Sequence, residues 1–275
     1  MSTVSIDVSG GRLKAIDHGD GPPIVLLHAG VADLRAWDDM VPFLVEAGYR
    51  TVRYDARAFG GSTTEDVDFS PRADLIAVLD ALGIGRAALV GNSLGGMLAL
   101  DTAIESPERV VAVVGVGAGL GGFDPAPSPE DLVVIEAYEG VDNAEPFDAA
   151  ALTDFEVNVW GNGPRQPADR LASSTRHLLY EMGLPLNQPD RVAGHRINLD
   201  PPAAERIAEL RCPILAVAGG LDFGEVIATA RHLEAEAPDA RALIWDDVAH
   251  MIGMEQPARL AAAIVDFLAP LDRWD

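Results

Sequence analysis

Apolar and polar positions along the chain follow two periods. Residues 4–8 and 13–17 alternate apolar and polar side chains on either side of a Ser-Gly-Gly turn, which predicts an antiparallel hairpin. Later apolar runs are separated by helix-length segments whose apolar residues lie three and four positions apart. The runs cover residues 24–28, 51–54, 87–90, 110–116, 214–218 and 242–245. This order predicts an α/β fold, with a mostly parallel central sheet of about eight strands flanked by helices.

The alternation stops between residues 121 and 210. A proline-rich stretch, residues 124–129, opens a region with no convincing strand pattern. Ser128 and Asp131 form an N-terminal capping pattern for a helix over 132–138, and residues 168–182 have a further amphipathic pattern. We therefore predict a core of residues 1–120 and 211–275, with a helical cap of residues 121–210 inserted after the sixth strand.

Composition narrows the function classes. The 275 residues include 20 Lys plus Arg against 43 Asp plus Glu, so the net charge of -23 disfavours nucleic acid and anionic membranes as partners. No basic leader or bilayer-length apolar run is present, which predicts a soluble cytoplasmic protein; a homodimer stays open. Cys212 is the single cysteine, so no intrachain disulfide and no cysteine-based metal site is expected.

The segment Gly91-Asn-Ser-Leu-Gly95 carries the strongest chemical signal. An apolar strand ends on a glycine, presents Ser93, and continues through Gly95 and Gly96 into a helical pattern. This strand-turn-helix context is typical of a nucleophile elbow, in which glycines allow a close backbone approach around the serine. A solvent-exposed serine in a tight turn is the alternative. We favour Ser93 as a nucleophile.

A serine nucleophile needs a base, and the base needs an orienting acid. Asp222 follows the strand Ile214-Leu-Ala-Val-Ala and two glycines, whereas a helix cap is its alternative role. His250 follows the strand that ends at Trp245 and a short polar turn. The order Ser93, Asp222, His250 is the order of the triad in α/β hydrolases. Glu225 and Asp247 are the substitute acids. The other histidines are expected to have surface or structural roles: His18, His28, His177, His195 and His232.

Two backbone N–H groups are expected to receive the oxyanion. One belongs to Leu94, which follows the nucleophile at the start of a helix. The second is assigned to Gly30, with Val31 as the alternative, because the strand ending at His28 is followed by small residues. His28 and Ala29 are expected to shape this turn.

Together these motifs resemble the α/β-hydrolase superfamily over nearly the whole chain. The segments are residues 21–30, Tyr54-Asp-Ala-Arg-Ala-Phe-Gly-Gly-Ser62, 91–95, 220–222 and 249–250. The resemblance implies that Asp55 and Arg57 stabilise a loop. A serine at position 93 implies acyl transfer, unlike the aspartate of haloalkane dehalogenases and epoxide hydrolases. Small bacterial esterases and lactonases, including enol-lactone hydrolases, are the most similar members.

The cap is expected to form the pocket roof. Tyr138, Phe155, Trp160 and Tyr180 are candidate lining residues in the cap, and Val31 and Trp37 are candidates near the oxyanion turn. Packing against the core is the alternative role of the aromatic residues. Arginines of the cap are candidates for binding a substrate carboxylate: Arg165, Arg170 and Arg176.

The sequence therefore predicts a serine hydrolase, without metal or cofactor, that cleaves an ester or lactone of a small to medium, largely apolar molecule. Three alternatives stay open. They are a C–C hydrolase of the meta-cleavage type, a cofactor-free haloperoxidase-like enzyme, and a small-molecule binding protein that has lost turnover.

Overall fold

A computed structural model describes residues 1–271. Its central sheet contains eight long strands: β1 Ser2–Val8, β2 Gly11–His18, β3 Pro23–Leu27, β4 Arg50–Tyr54, β5 Ala87–Asn92, β6 Val110–Val116, β7 Ile214–Gly219 and β8 Ala240–Trp245. Their spatial order is β1-β2-β4-β3-β5-β6-β7-β8. A two-residue strand, Thr63–Thr64, pairs with β2 as a ninth member.

The strand directions follow the predicted pattern. β2 runs antiparallel to both β1 and β4. From β4 onward in this spatial order, each strand is parallel to the next. The register aligns Leu27 with Gly91 and Asn92 with Val116. The carboxyl ends of β3, β5 and β6 therefore lie side by side, which is where an open α/β sheet places its ligands.

Nine α-helices complete the described residues: α1 Val41–Glu46, α2 Pro71–Ala81, α3 Leu94–Glu105, α4 Pro129–Asp142, α5 Ala149–Glu156, α6 Ser173–Gly183, α7 Gly224–Glu236, α8 Ile252–Glu255 and α9 Pro257–Leu268. Buried residues of α2, α3 and α7 form one apolar cluster with the sheet. Those of α1 and α9 form a second cluster with other strand residues. Helices thus cover both faces, so the buried parallel strands are apolar throughout.

The segment between β6 and β7 contains α4, α5 and α6. Ser128 accepts a hydrogen bond from the Asp131 N–H (3.0 Å) and caps α4, as its sequence pattern predicts. The segment also holds a two-residue strand, His195–Arg196, that pairs in parallel with Asp68–Phe69. The expectation of a strand-free region was wrong here, because two residues are too few to give a periodic signal.

The α/β prediction is confirmed in class, in its mostly parallel sheet and in the helices on both faces. The division into residues 1–120 plus 211–275 and a cap of 121–210 stays a prediction, and its last four residues lie outside the described chain. Across residues 1–271, no helix has both the length and the apolar character needed to cross a membrane. Cys212 is buried, and burial raises the pKa of its thiol to about 11.

Candidate active site

Ser93 occupies the sharp turn between β5 and α3. Its backbone has φ 53° and ψ -112°, a strained conformation for a residue with a side chain. The flanking glycines are required by space. A Cβ atom on Gly91 would lie 2.2 Å from the Gly95 carbonyl carbon, and one on Gly95 would lie 2.3 Å from the Leu27 carbonyl oxygen. Only hydrogen fits at either position, so this turn has the geometry of a nucleophile elbow.

Asp222 and His250 form a buried pair beyond the carboxyl ends of β7 and β8. The Nδ1 atom of His250 lies 2.7 Å from Oδ2 of Asp222, and the two side chains are 4% and 0% exposed. The other oxygen of Asp222 accepts the Phe223 N–H at 2.8 Å. With the carboxylate fixed in this way, Nδ1 of His250 is the donor and Nε2 is left as the basic nitrogen.

The backbone of His250 is hydrogen-bonded to Asn92, the residue before Ser93. The Asn92 side-chain amide donates to the carbonyl oxygens of Val116 (3.0 Å) and His250 (3.3 Å). A Cβ atom on Gly117 would lie 3.1 Å from Nδ1 of His250. Within residues 1–271 the Ser93 hydroxyl forms no hydrogen bond, so its bond to the imidazole is not made in this conformation. Such bonds often tighten only when substrate binds.

The two backbone groups predicted to receive an oxyanion, those of Gly30 and Leu94, belong to neighbouring turns. Leu94 is the first residue of α3, where N–H groups have no partner within the helix. A Cβ atom on Gly30 would lie 3.6 Å from Cδ2 of Leu94, so the oxyanion turn and the helix start are adjacent. The turn itself is closed by the Ala32 N–H, which donates to Ala29 at 3.2 Å. No hydrogen bond links the N–H of Gly30 or Val31 to another of the described residues.

His28 has a structural role in this turn. Its Nδ1 lies 2.8 Å from the Ala29 carbonyl oxygen, and its Nε2 accepts the Ala56 N–H at 3.0 Å. Both ring nitrogens are therefore engaged. Burial lowers the pKa of His28, which favours the neutral imidazole. This agrees with the expectation that His28 shapes the turn.

The substitute acids lie elsewhere. The Asp247 side chain is 65% exposed and pairs with Arg259 at 2.8 Å. Glu225 is exposed in the first turn of α7. Within the described chain the imidazole of His250 therefore pairs with Asp222, and with neither Glu225 nor Asp247.

The loop-stabilising residues act through different partners. Arg57 forms a buried, two-point ion pair with Asp74 at 2.7 and 2.8 Å. Asp55 accepts the N–H groups of Leu34 and Gly61, each at 2.8 Å, and so ties the oxyanion region to the loop after β4. Both residues stabilise loops, as their resemblance implies.

Two carboxylates, each paired with an arginine, connect the segment between β6 and β7 to the loops of Asp222 and His250. Glu255 accepts the Ala249 N–H at 3.1 Å and pairs with Arg170 at 2.7 Å. Asp131 accepts the Gly224 N–H at 3.1 Å and pairs with Arg165. These arginines were candidates for a substrate carboxylate, but their charges are already neutralised by protein carboxylates. Arg176, the third candidate, donates to the Ala168 carbonyl oxygen.

Sequence reasoning missed Asn92, Asp131 and Glu255. Asn92 has a usable signal, because it is a polar residue at the end of an otherwise apolar strand. Asp131 was recognised only as part of a helix cap. Glu255 has no recognisable signal, since its ion-pair partner Arg170 becomes a neighbour only in the folded chain.

Trp160 is the candidate pocket residue that meets the imidazole. Its ring centroid lies 4.7 Å from that of His250 and 5.2 Å from that of Phe223. It belongs to a π-helical turn, Val157–Asn162, a rare geometry that occurs frequently at functional sites. Val31 and Trp160 line the same small space beneath α5 and α6.

The other aromatic candidates have packing or surface positions, and their assignment to a substrate pocket stays a prediction. Trp37 is 1% exposed and belongs to the core cluster beneath α1 and α9. Tyr138 donates to Glu156 at 2.9 Å, and its ring meets that of Phe155 at 5.8 Å. Tyr180 faces an open surface groove with His177. The sequence does not distinguish an aromatic residue that lines a pocket from one that packs against the core, because both positions favour an apolar side chain.

The fold and this arrangement define an α/β hydrolase. Residues 22–257 match the family described as "alpha/beta hydrolase fold", and the chain belongs to that family.

Three known proteins illustrate the similarity. A 2-hydroxy-6-oxo-6-phenylhexa-2,4-dienoate hydrolase of Burkholderia cepacia is 29% identical over 95% of this chain and 93% of its own length. A rhodomycin D methylesterase of Streptomyces peucetius is 30% identical over 88% of this chain and 89% of its own length. The crystal structure of an enol-lactonase from Burkholderia xenovorans LB400 superimposes with a TM-score of 0.73 at 22% identity. That match covers 97% of this chain and all of the other, and it shows the shared fold.

Proposed function

We propose that this protein is a serine hydrolase that cleaves a carboxylic ester or lactone of a small to medium, largely apolar molecule. Ser93 is the nucleophile, His250 the general base and Asp222 the orienting acid. The N–H groups of Gly30 and Leu94 receive the oxyanion. The observation that carries the proposal is the buried 2.7 Å contact between His250 and Asp222, beside an elbow that holds Ser93 in strained geometry.

Acylation begins when the Ser93 oxygen attacks the ester carbonyl carbon while Nε2 of His250 takes the hydroxyl proton. The carbonyl oxygen gains the negative charge and is stabilised by the two backbone donors. Asp222 stabilises the imidazolium that has formed. When the tetrahedral intermediate collapses, the bond to the alcohol oxygen breaks and His250 returns the proton to that oxygen.

Deacylation repeats these steps with water. His250 removes a proton from a water molecule, whose oxygen attacks the acyl carbon, and the bond to Ser93 breaks. The proton passes to the Ser93 oxygen, and a carboxylic acid is released. For a lactone, the alcohol and the acid belong to one product molecule.

Trp160 supports a role of the β6–β7 segment in substrate selection. Its indole lies over the imidazole, so a substrate that reaches His250 must pass or displace this ring. Apolar surface against the ring favours an apolar substrate group.

A serine-reactive fluorophosphonate probe tests the nucleophile. We expect the wild type to be labelled and Ser93→Ala to remain unlabelled. Hydrolysis of p-nitrophenyl esters and simple lactones should fall in the same variant to the level of the buffer reaction. Labelling of neither protein would overturn the proposal and favour a binding protein. Equal, slow hydrolysis by both proteins would contradict the ester assignment.

Hydrolysis of a C–C bond is the second candidate. It is favoured by the similarity to a 2-hydroxy-6-oxo-6-phenylhexa-2,4-dienoate hydrolase over nearly the whole chain. The similarity to a methylesterase, at a comparable sequence identity, supports ester cleavage instead. In ester cleavage the leaving group is an oxygen atom, whereas in C–C cleavage it is a carbon atom. Assaying a vinylogous 1,5-diketone beside the ester panel separates the two. Cleavage of the diketone alone would replace the ester assignment.

A further inference from the structure

A cavity of about 240 Å³ lies beside the first turn of α3, and His28 and Leu94 are among the residues that line it. We call it the arginine cavity. Ser93 is absent from its walls. Apolar side chains form one part of its lining and arginines another. They include Leu27, Leu98, Phe59, Phe69, Arg191 and Arg196.

Arg196 has no direct carboxylate partner among the described residues. Within residues 1–271 it forms no ion pair and no hydrogen bond, although it lines the cavity. Most other arginines of the described chain pair with carboxylates. The residue is exposed to solvent, although the surrounding side chains desolvate its guanidinium enough to lower the pKa of Arg196. The nearby Asp101 opposes this shift of the pKa.

Arg191 adds a second cation that has no carboxylate partner. Its guanidinium donates to the Ala58 carbonyl oxygen at 3.1 and 3.2 Å and lies 4.9 Å from the centre of the Phe59 ring. Burial lowers its pKa as well. By contrast, Arg57 in the same wall is neutralised by Asp74 at 2.7 Å. Two of the three arginines therefore leave positive charge for a ligand.

The segment that carries Arg196 is held in place. The His195 N–H donates to Val67 at 2.9 Å, and the Ile197 N–H donates to Phe69 at 2.8 Å. Arg72 donates to the Ile197 carbonyl oxygen at 3.1 Å. Successive side chains of a strand alternate between its two faces. The Arg196 side chain therefore lies on the face opposite to that of residues 195 and 197. The backbone that carries Arg196 is thus fixed before any ligand binds, so only its side chain has to become ordered on binding.

We propose that the arginine cavity binds an amphipathic monocarboxylate, with the carboxylate at Arg196 and Arg191 and the apolar body against Leu27, Leu98 and Phe69. A guanidinium binds a carboxylate through two parallel N–H bonds, and Arg196 has all its donors available. The apolar wall accommodates a short hydrocarbon chain or one aromatic ring. A polyanion would be repelled by the acidic surface, which favours a ligand with a single carboxylate.

Direct binding tests the proposal without turnover. We suggest isothermal titration of 4-phenylbutyrate into the wild type and into Ser93→Ala, with 4-phenylbutyramide as the neutral analogue. Both proteins should bind the acid, and the amide should bind at least tenfold more weakly. Because Ser93 is outside the cavity walls, this result is independent of the proposed hydrolysis. Equal binding of acid and amide, or no saturable binding of the acid, would overturn the site.

Variants locate the site. Arg196→Gln should weaken binding of 4-phenylbutyrate at least tenfold, and Arg196→Lys should retain part of the affinity because it keeps the charge. Arg231→Gln removes an exposed arginine on α7 and should leave binding unchanged. Thermal unfolding of each variant reports whether it is folded. Full affinity in a folded Arg196→Gln protein would contradict the assignment.

The source of the carboxylate is decided by kinetics. If the ligand is the acid released by hydrolysis, 4-phenylbutyrate should compete with an ester substrate and raise KM. If it is a separate effector, kcat should change at saturating ester. Either result in the wild type, lost in Arg196→Gln, supports the site. An effect that is the same in both proteins would place the carboxylate elsewhere.

Discussion

His250 directs Nδ1 at Asp222 across 2.7 Å, while its backbone carbonyl accepts the side-chain amide of Asn92, the residue before Ser93, at 3.3 Å. One histidine is thus fixed from two directions. The acid sets the orientation of its ring, and the nucleophile elbow sets the position of its backbone. This double constraint supports a hydrolytic role for the three residues and leads to the following predictions.

Removing the negative charge of Asp222 should affect turnover far more than removing that of Asp247. Asp222→Asn favours the wrong imidazole tautomer, so kcat on a p-nitrophenyl ester should fall about 10³–10⁴-fold. Asp247→Asn breaks only an exposed ion pair with Arg259 and should change kcat less than about twofold. The opposite ranking would identify a different acid.

Adding one methyl group at Gly95 should destabilise the fold. The new Cβ atom would lie 2.3 Å from the Leu27 carbonyl oxygen, and such overpacking costs about 3 kcal/mol. Gly140→Ala is the matched control, because α4 is exposed there and no heavy atom lies within 4 Å of the new Cβ. It should stabilise the protein by about 0.5–1 kcal/mol. Urea unfolding measures both changes, and equal free energies of unfolding would contradict the close approach.

Glu255 is expected to position the loop that carries His250. Its carboxylate accepts the Ala249 N–H at 3.1 Å and pairs with the half-buried Arg170. Glu255→Gln should lower kcat about tenfold or more with little change in KM, since small misplacements of a catalytic group are costly. Arg259→Gln, which breaks an exposed ion pair nearby in sequence, should change neither constant. A Glu255→Gln effect on KM alone would indicate a role in substrate binding.

Trp160 is expected to limit substrate size. Trp160→Ala removes the ring that lies over the imidazole, so longer esters should gain access to His250. The ratio of kcat/KM for p-nitrophenyl octanoate to that for the acetate should rise about tenfold. Tyr180→Ala alters an open groove instead and should leave this ratio unchanged. An unchanged ratio in Trp160→Ala would remove the indole from the substrate path.

Asp101 should make stability depend on pH. Burial raises its pKa to about 6, and one carboxylate oxygen has no hydrogen-bond partner. The folded protein keeps this proton up to about pH 6, whereas an unfolded aspartate releases it near pH 3.9. Asp101 therefore lowers the free energy of unfolding as pH rises through that window.

Asp101→Asn should remove this effect. The variant should be stabilised by roughly 2 kcal/mol at pH 8 and by little at pH 4, as measured by the melting temperature across that range. Asp39→Asn removes the same charge at an exposed position and should show no such trend. A stabilisation by Asp101→Asn that is equal at both pH values would contradict the raised pKa.

The order of strands and helices and the turn around Ser93 could be predicted from the pattern of residues alone. Strand periodicity is a property of neighbouring residues, and the elbow requires glycines at positions set by the turn itself. Asp222 and His250 were predicted for a related reason. Each follows a recognisable strand, and parallel strands bring their carboxyl ends to one edge.

The charged and aromatic residues around that edge could be identified only in the folded chain. Contacts between residues far apart in the chain pair Arg170 with Glu255 and leave Arg196 without a carboxylate partner within residues 1–271. Such contacts also place Trp160 against His250 and Tyr180 at a surface groove. Local patterns carry no information about such contacts, because an arginine or an aromatic residue has the same sequence signature whether its partner is a carboxylate, a core side chain or a ligand.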